Sequence, residues 1–188
     1  LSVCDYNLEK ISTKKNKAKH DLLAEVCMAA KYEGDSIKTH YTPHQHKYDD
    51  SASQLCTALA RSFADIADIV RGKDLYLGNP QEKEKREQLE KNLQKIFGNI
   101  YKDVTSDKNG EALKTRYKGD KNNNFFKLRE DWWNANRQEI WKAITCKAND
   151  DDKYFRKTCG GENPTHAKCQ CISRDPPTFF DYVPQYLR

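Results

Sequence analysis

The 188-residue sequence predicts an all-α fold in which amphipathic helices are joined by disulfide-stapled loops. Three long stretches carry apolar residues at steps of three and four, the period that gives a helix one buried face. Only 37% of the residues are hydrophobic and 32% are charged, which leaves too little apolar material for a buried sheet. The third observation is the cysteines, at positions 4, 27, 56, 146, 159, 169 and 171. They are dense for this length and favour an oxidising, extracellular setting.

The clearest helix lies within residues 54–78, where Leu55, Leu59, Phe63, Ile66 and Val70 form the apolar stripe. Asp50 or Ser51 can cap its start and Gly72 can end it. Arg61/Asp65 and Asp68/Arg71 stand one turn apart and are expected to pair across its surface. Upstream, residues 1–11 resemble the end of a cysteine-stapled loop region, and KKNKAKH from Lys14 reads as a basic connector. Residues 20–32 read as a helix burying Leu22, Leu23, Val26, Cys27 and Ala30, with Gly34 as its stop. Residues 39–50 then read as an exposed loop carrying His40, His44 and His46 around Pro43.

Gly78, Asn79 and Pro80 break the chain before a second long helix over about 81–104. Leu89, Leu93, Ile96, Phe97, Ile100 and Val104 are its stripe, while the all-charged EKEKRE opening should project into solvent. Residues 105–110 are a polar turn, and GDKNNN at 119–124 has the low-complexity look of a variable insertion. The third long helix, about 125–145, carries Phe125, Phe126, Trp132, Trp133 and Trp141 on more than one face, a pattern of packing between neighbouring helices. Residues 150–174 are irregular and cysteine-held, and Pro177 precedes a last helix that is cut off at Arg188.

Several function classes find no support. There is no Gly-rich phosphate loop, nucleophile elbow, His-Glu metal helix or paired-carboxylate motif, so neither an enzyme nor a cofactor is expected. Basic residues are not interleaved with the aromatics in a nucleic-acid pattern. Cys159, His166, Cys169 and Cys171 cluster as zinc ligands would, but Cys-x-Cys is not the usual spacing and no second pair follows. No run reaches the roughly 20 apolar residues that span a bilayer, so any membrane anchor should lie outside this stretch. The balance of 33 basic and 28 acidic residues, a net +5, suits an anionic partner. Candidate polyanion contacts are Lys14, Lys15, Lys17 and Lys19, then Lys114, Arg116, Lys118 and Lys121. For the first group the competing interpretation is a solvated charged face.

Particular phrases go further. ARSFADIADIVRGKDLYLG from Ala60 and PPTFFDYVPQYLR from Pro176 bracket about the last two-thirds of the chain. LLAEVCMAAKYEGDSI from Leu22, NFFKLREDWWNANRQEIWKAITC from Asn124 and KYFRKTCGG from Lys153 accompany them. Together they resemble the Duffy-binding-like alpha (DBLα) domain of the Plasmodium falciparum erythrocyte membrane protein 1 family. One departure is Ala67, where the family usually has Gly. Ala is the better helix former by about 1 kcal/mol.

The resemblance implies a truncated Duffy-binding-like helical bundle. Residues from 1 to about 25 would end a first subdomain, about 26–175 would be the middle one, and about 176–188 would start a third. It implies an adhesion module on the extracellular face of the infected host erythrocyte membrane, active in cytoadherence and rosetting. Its partners would be a host cell-surface receptor or sulfated glycan and adjacent domains of the same parent protein, with no nucleic acid. The alternative is a structural spacer or antigenically variable decoy beside a receptor-binding interdomain region. For the disulfides, the resemblance implies a long bridge from Cys56 to Cys169 or Cys171. Those two near neighbours should reach different partners, because bridged Cα atoms stand roughly 4.4–6.8 Å apart. Cys4 and Cys27 flank the basic connector and could close a local loop, Cys146 and Cys159 flank the acidic run at 150–152, and one cysteine is left over.

Overall fold

In a computed structural model, residues 18–48, 53–75, 78–106 and 110–188 are described. Among the described residues five α-helices make the body: α1 (Ala18–Tyr48), α2 (Ser53–Arg71), α3 (Pro80–Ser106), α4 (Gly110–Arg116) and α5 (Phe126–Ile144). No strand forms among the described residues; two isolated bridges, Cys159 with Asn163 and Ala167 with Gln170, hold the segment after α5. The all-α expectation holds, and the three long helices lie where periodicity put them.

The starts and stops of these helices follow from local chemistry. Asn79 caps α3 reciprocally with Glu82: each side-chain oxygen accepts the other's backbone N–H, at 2.9 and 3.2 Å. Pro80 occupies the first helical position, where its missing N–H costs nothing. At the end of α2 the Gly72 N–H donates to the Ile69 carbonyl and the Lys73 N–H to the Asp68 carbonyl, a Schellman closure with Gly72 at φ 71°. A side chain at Gly72 would also strike Arg129, whose Nη1 lies 2.2 Å from where a Cβ would stand. Two constraints therefore meet on one glycine.

α1 departs from expectation. It does not stop at Gly34, and residues 39–48 are helical rather than loop. Gly34 serves close approach instead: a Cβ there would lie 2.0 Å from the Ile144 carbonyl oxygen, so its absence lets α1 rest on the end of α5. Beyond it, Ile37 and Tyr41 still pack on the core, and Lys38 Nζ donates to the Lys147 carbonyl and, at 2.9 Å, to Asn149 Oδ1. Tertiary contact outweighs the local breakers. His40 is thus an exposed helical residue whose Nδ1 meets the Ser36 carbonyl at 2.8 Å. Candidate caps Asp50 and Ser51 lie outside the described residues. The expected C-terminal helix is likewise replaced, by two short 3-10 turns at Phe180–Tyr182 and Gln185–Leu187.

The core lies where α1, α2, α3 and α5 meet. Phe63 on α2 lies between Trp133 and Trp141 on α5, with ring centroids 5.1 and 5.2 Å away. Phe97 meets Trp132 edge to face at 6.0 Å. Of the five aromatics expected to pack between helices, only Phe126 is exposed. In the charged opening of α3, Lys83, Glu84, Lys85 and Glu87 are exposed as expected, while Arg86 turns inward to pair with Asp74 at 3.3 Å.

Two disulfides fasten the irregular segment. Cys56 on α2 is joined to Cys169, with Cα atoms 5.6 Å apart. Cys159 pairs with Cys171 and not with Cys146, because the turn between them folds back on itself through the Cys159–Asn163 bridge. Among the described residues Cys27 and Cys146 keep free thiols; the suggested Cys4–Cys27 loop involves a residue outside the described ones. Two described cysteines are left over rather than one, and Cys4 lies outside the described residues. With Cys159, Cys169 and Cys171 all in disulfides, no thiolate of that cluster remains for zinc.

A buried polar clamp secures the FFDY phrase. Asp181 is fully buried and accepts hydrogen bonds from Arg137 Nε (2.9 Å), Arg137 Nη2 (2.8 Å) and Trp133 Nε1 (2.9 Å). Arg71 Nη2 donates to the Asp181 carbonyl. Asp68 pairs with Arg71 as expected, but buried rather than across the surface. Asp65 turns to Arg188, at 3.6 Å, instead of Arg61. Burial raises the carboxyls of Asp65 and Asp68 above the usual range, against the lowering pull of Arg188 on both.

Candidate polyanion-binding site

The structure sorts the eight basic candidates. Lys14, Lys15 and Lys17 lie outside the described residues, and Lys19 is exposed at the start of α1. Arg116 is already committed: Nε and Nη2 donate to the two oxygens of Asp131, both at 2.7 Å. That fork holds the Asp131 carboxyl below its ordinary value and raises the guanidinium above its own. Lys114 stands 3.7 Å from Glu111, one turn away on the same short helix. Lys118 is exposed.

Lys121 has a different setting. It lies on the 3-10 turn Asp120–Asn123 and lines an open concavity of about 490 Å³ together with Lys95, Gly98, Asn99, Tyr101, Lys102 and Phe125. Lys95, Gly98, Asn99 and Lys102 recur at steps of three, one and three along α3, which places them on one helical face. All three lysines are exposed, and none forms an ion pair among the described residues. The nearby Asp120 carboxylate faces elsewhere, accepting the backbone N–H groups of Lys127 (3.0 Å) and Leu128 (2.9 Å) at the start of α5.

The floor of the concavity is aromatic. Tyr101 and Phe125 lie with ring centroids 5.9 Å apart, inclined at 43°. Asn124 and Phe125 both adopt left-handed backbone, at φ 55° and 60°, which a bulky aromatic residue rarely does. The turn is held by Asp120, whose carbonyl accepts the Phe125 N–H at 2.9 Å. It brings the Phe125 ring to 3.6 Å from the position a Gly98 side chain would take. The GDKNNN stretch, which reads as a loose insertion, is therefore the structured wall of this site.

Sequence reasoning found Lys121 and missed Lys95, Lys102, Tyr101 and Phe125. The α3 spacing was a usable signal, hidden because attention falls on the opposite, apolar face of that helix. Among the described residues no group of acidic, cysteine and histidine side chains is arranged to hold a metal, and no helix is long and apolar enough to cross a membrane.

The family model of the Duffy binding domain matches residues 1–188. No curated protein matches the chain. Among solved structures, the NTS-DBL1-alpha and CIDR-gamma double domain of PfEMP1 from the Plasmodium falciparum varO strain is 44% identical, with a TM-score of 0.80. That match covers 98% of this chain and 25% of the other. The ICAM-1-binding DBLbeta domain of PfEMP1 IT4var13 is 31% identical over 99% of this chain and 39% of its own, at a TM-score of 0.71. A third, the DBLb domain of PF11_0521 PfEMP1 solved bound to human ICAM-1, is 29% identical over 98% of this chain and 36% of its own, at 0.63. The chain thus spans a quarter to two-fifths of these structures' lengths. With the fold and a family match over every residue in agreement, the chain belongs to the Duffy-binding-like domains and is similar to those of PfEMP1.

Proposed function

We propose that this chain is part of an extracellular adhesion module, displayed by the infected erythrocyte, that binds a receptor or glycan on host cells and contributes to cytoadherence and rosetting. The observation that carries this reading is the concavity between α3 and the turn at 120–123, where three unpaired lysines surround an aromatic floor on an otherwise ordinary helical scaffold. Two relatives were solved as ICAM-1-binding or ICAM-1-bound domains, which supports receptor binding as the business of this scaffold. The signature phrases contribute differently: Phe63, Trp133, Arg137 and Asp181 are buried and maintain the fold. The exposed surface is left to make contact.

A spacer or decoy role is the second reading, favoured by that same burial and by the CIDR-gamma neighbour in the varO double domain. The test is to display the protein at its full natural length on beads and score adhesion to uninfected erythrocytes and endothelial cells. The same protein lacking only its neighbouring interdomain region is the comparison. Adhesion surviving that deletion supports the module; adhesion lost with it supports the spacer.

A further inference from the structure

We propose that the outer face shared by α1 and α5, around Met28, Tyr32 and Ala143, is a self-association surface on which a second copy of this chain docks across a two-fold axis. The pairing is independent of the lysine concavity and of any receptor.

α1 carries apolar residues on two faces. Leu22, Val26, Ala29 and Ala30 are buried in the core. On the opposite side Ala24, Met28 and Tyr32 recur at steps of four, and Met28 and Tyr32 keep 46% and 49% of their surface exposed. Beside them a shallow groove of about 310 Å³ opens between the helices, floored by Cys27, Met28, Ala143 and Cys146. Lys31, Glu139 and Lys142 line its rim, all exposed and none in an ion pair among the described residues. An exposed apolar stripe that runs into an apolar groove, rimmed by charge, marks a surface for a partner.

The order of the charges decides which partner fits. α1 and α5 run the same way where they touch: Gly34 meets Ile144 and, about one turn further along both segments, Lys38 donates to the Lys147 carbonyl. Glu139 stands at the Cys27 end, close enough to help push that thiol's pKa up. Lys31 and Lys142 follow one turn later on their own helices, and Cys146 closes the other end. The rim is therefore negative at one end and positive beyond it, so a partner of single sign meets repulsion somewhere along it. A second copy, reversed by a two-fold axis, sets each Glu139 against the other copy's lysines and lays the two Met28 and Tyr32 stripes together, out of water. That self-complementarity is what an isologous interface requires.

Two helix faces and a shallow groove fall short of the roughly 1,200–2,000 Å² of a stable interface, so the pair is weak in solution, with a Kd on the order of 10–100 μM. Copies held side by side on one surface meet at far higher effective concentration, where such a pair forms. Two adhesive faces per unit then raise avidity, a consequence that rests on the adhesion reading although the pairing itself does not.

Sedimentation velocity on the protein at its full natural length, across about 1–200 μM, reads the pairing directly. Wild type should pass from monomer to dimer as concentration rises. Met28→Glu/Tyr32→Glu should weaken pairing about tenfold or more, with an unchanged far-UV circular dichroism spectrum. Glu139→Lys makes the rim wholly positive and Lys31→Glu/Lys142→Glu makes it wholly negative, so each variant alone should stay monomeric. Mixed in equal amounts, the two should pair with an affinity within about fivefold of wild type, which no loss of folding can mimic.

The proposal is overturned if wild type is still monomeric at about 200 μM, if Met28→Glu/Tyr32→Glu dimerises like wild type, or if the mixed variants do not pair. It is equally overturned if the dimer survives on a non-reducing denaturing gel, since Cys146 thiols rather than docked faces then join it. Hydroxyl-radical footprinting of dilute, monomeric protein should modify Met28 and Tyr32; protection of both there also overturns it, because another part of the same protein then covers this face. Failure of the adhesion reading looks different: the mixed variants pair, yet beads carrying the protein adhere to no host cell.

Discussion

Replacing Asp181 by Asn should be among the most damaging single changes this domain can suffer, although the two side chains are nearly the same size. Asp181 is fully buried and accepts three hydrogen bonds, two from the Arg137 guanidinium and one from the Trp133 indole. The substitution removes the one formal negative charge in contact with Arg137 and turns an N–H donor toward a ring of donors. Leaving a buried charge uncompensated costs about 3–5 kcal/mol. With a urea slope of about 2–3 kcal/mol per molar, the unfolding midpoint should drop by about 1–2 M. Far-UV circular dichroism across a urea titration measures it. Arg137→Met combined with Asp181→Asn should cost less than the two single changes added together, since the double variant leaves no unpaired charge. A loss below about 1 kcal/mol for Asp181→Asn, or strict additivity in the double variant, would refute the clamp as the device that secures the C-terminal phrase.

Further outcomes follow from other contacts. The Cys56–Cys169 bridge closes a span of 113 residues; substituting both cysteines by Ala should destabilise by roughly 4–5 kcal/mol in the chain-entropy picture, read from the same urea titration. Gly72→Ala should cost about 1–3 kcal/mol, because it forces a side chain into left-handed backbone and against Arg129; a neutral result would contradict the Schellman assignment. Because the Arg116 fork lowers the Asp131 pKa, that carboxylate stabilises the fold above its unfolded pKa, and the contribution fades as pH falls through the lowered folded value. Stability measured from pH 6 down to pH 2 should therefore fall less for Arg116→Gln than for wild type across the acid range. Burial, with Glu139 adding to it, pushes the Cys27 thiol up to about 11; iodoacetamide at pH 8 should label exposed Cys146 while Cys27 stays largely unmodified, as peptide mass mapping can check.

The parts of this fold legible in sequence are those set by neighbours within a few turns. The α2 stripe, its Gly72 stop and the α3 start at Asn79 and Pro80 all depend on spacings of three to seven residues, and all stand where those spacings put them. What the sequence conceals depends on contacts made across the chain. Gly34 looks like a helix terminator and is a point of close approach to Ile144, 110 residues away. The pairing of Arg137 with Asp181 spans 44 residues between two phrases whose separate spacings reveal nothing of it. The Cys56 link came from family resemblance, while the Cys159–Cys171 pairing depends on a local reversal that spacing does not specify. The candidate site divides in the same way. Lys121 stands out as a charge in a polar loop, but only the fold brings it beside Lys95 and Lys102, and only the left-handed turn at Asn124 and Phe125 gives the three an aromatic floor.

The most direct measurement on the adhesive role of that floor is single-cell force spectroscopy. Protein at its full natural length, on the probe, is brought against host erythrocytes and endothelial cells before and after enzymatic removal of their sulfated glycans. Wild-type protein should show specific rupture events that the enzyme treatment largely abolishes, and the Lys95→Gln/Lys102→Gln/Lys121→Gln variant should show few on untreated cells. Rupture events of the same frequency and force for variant and wild type, insensitive to the enzyme, would contradict the assignment of host-surface binding to this concavity.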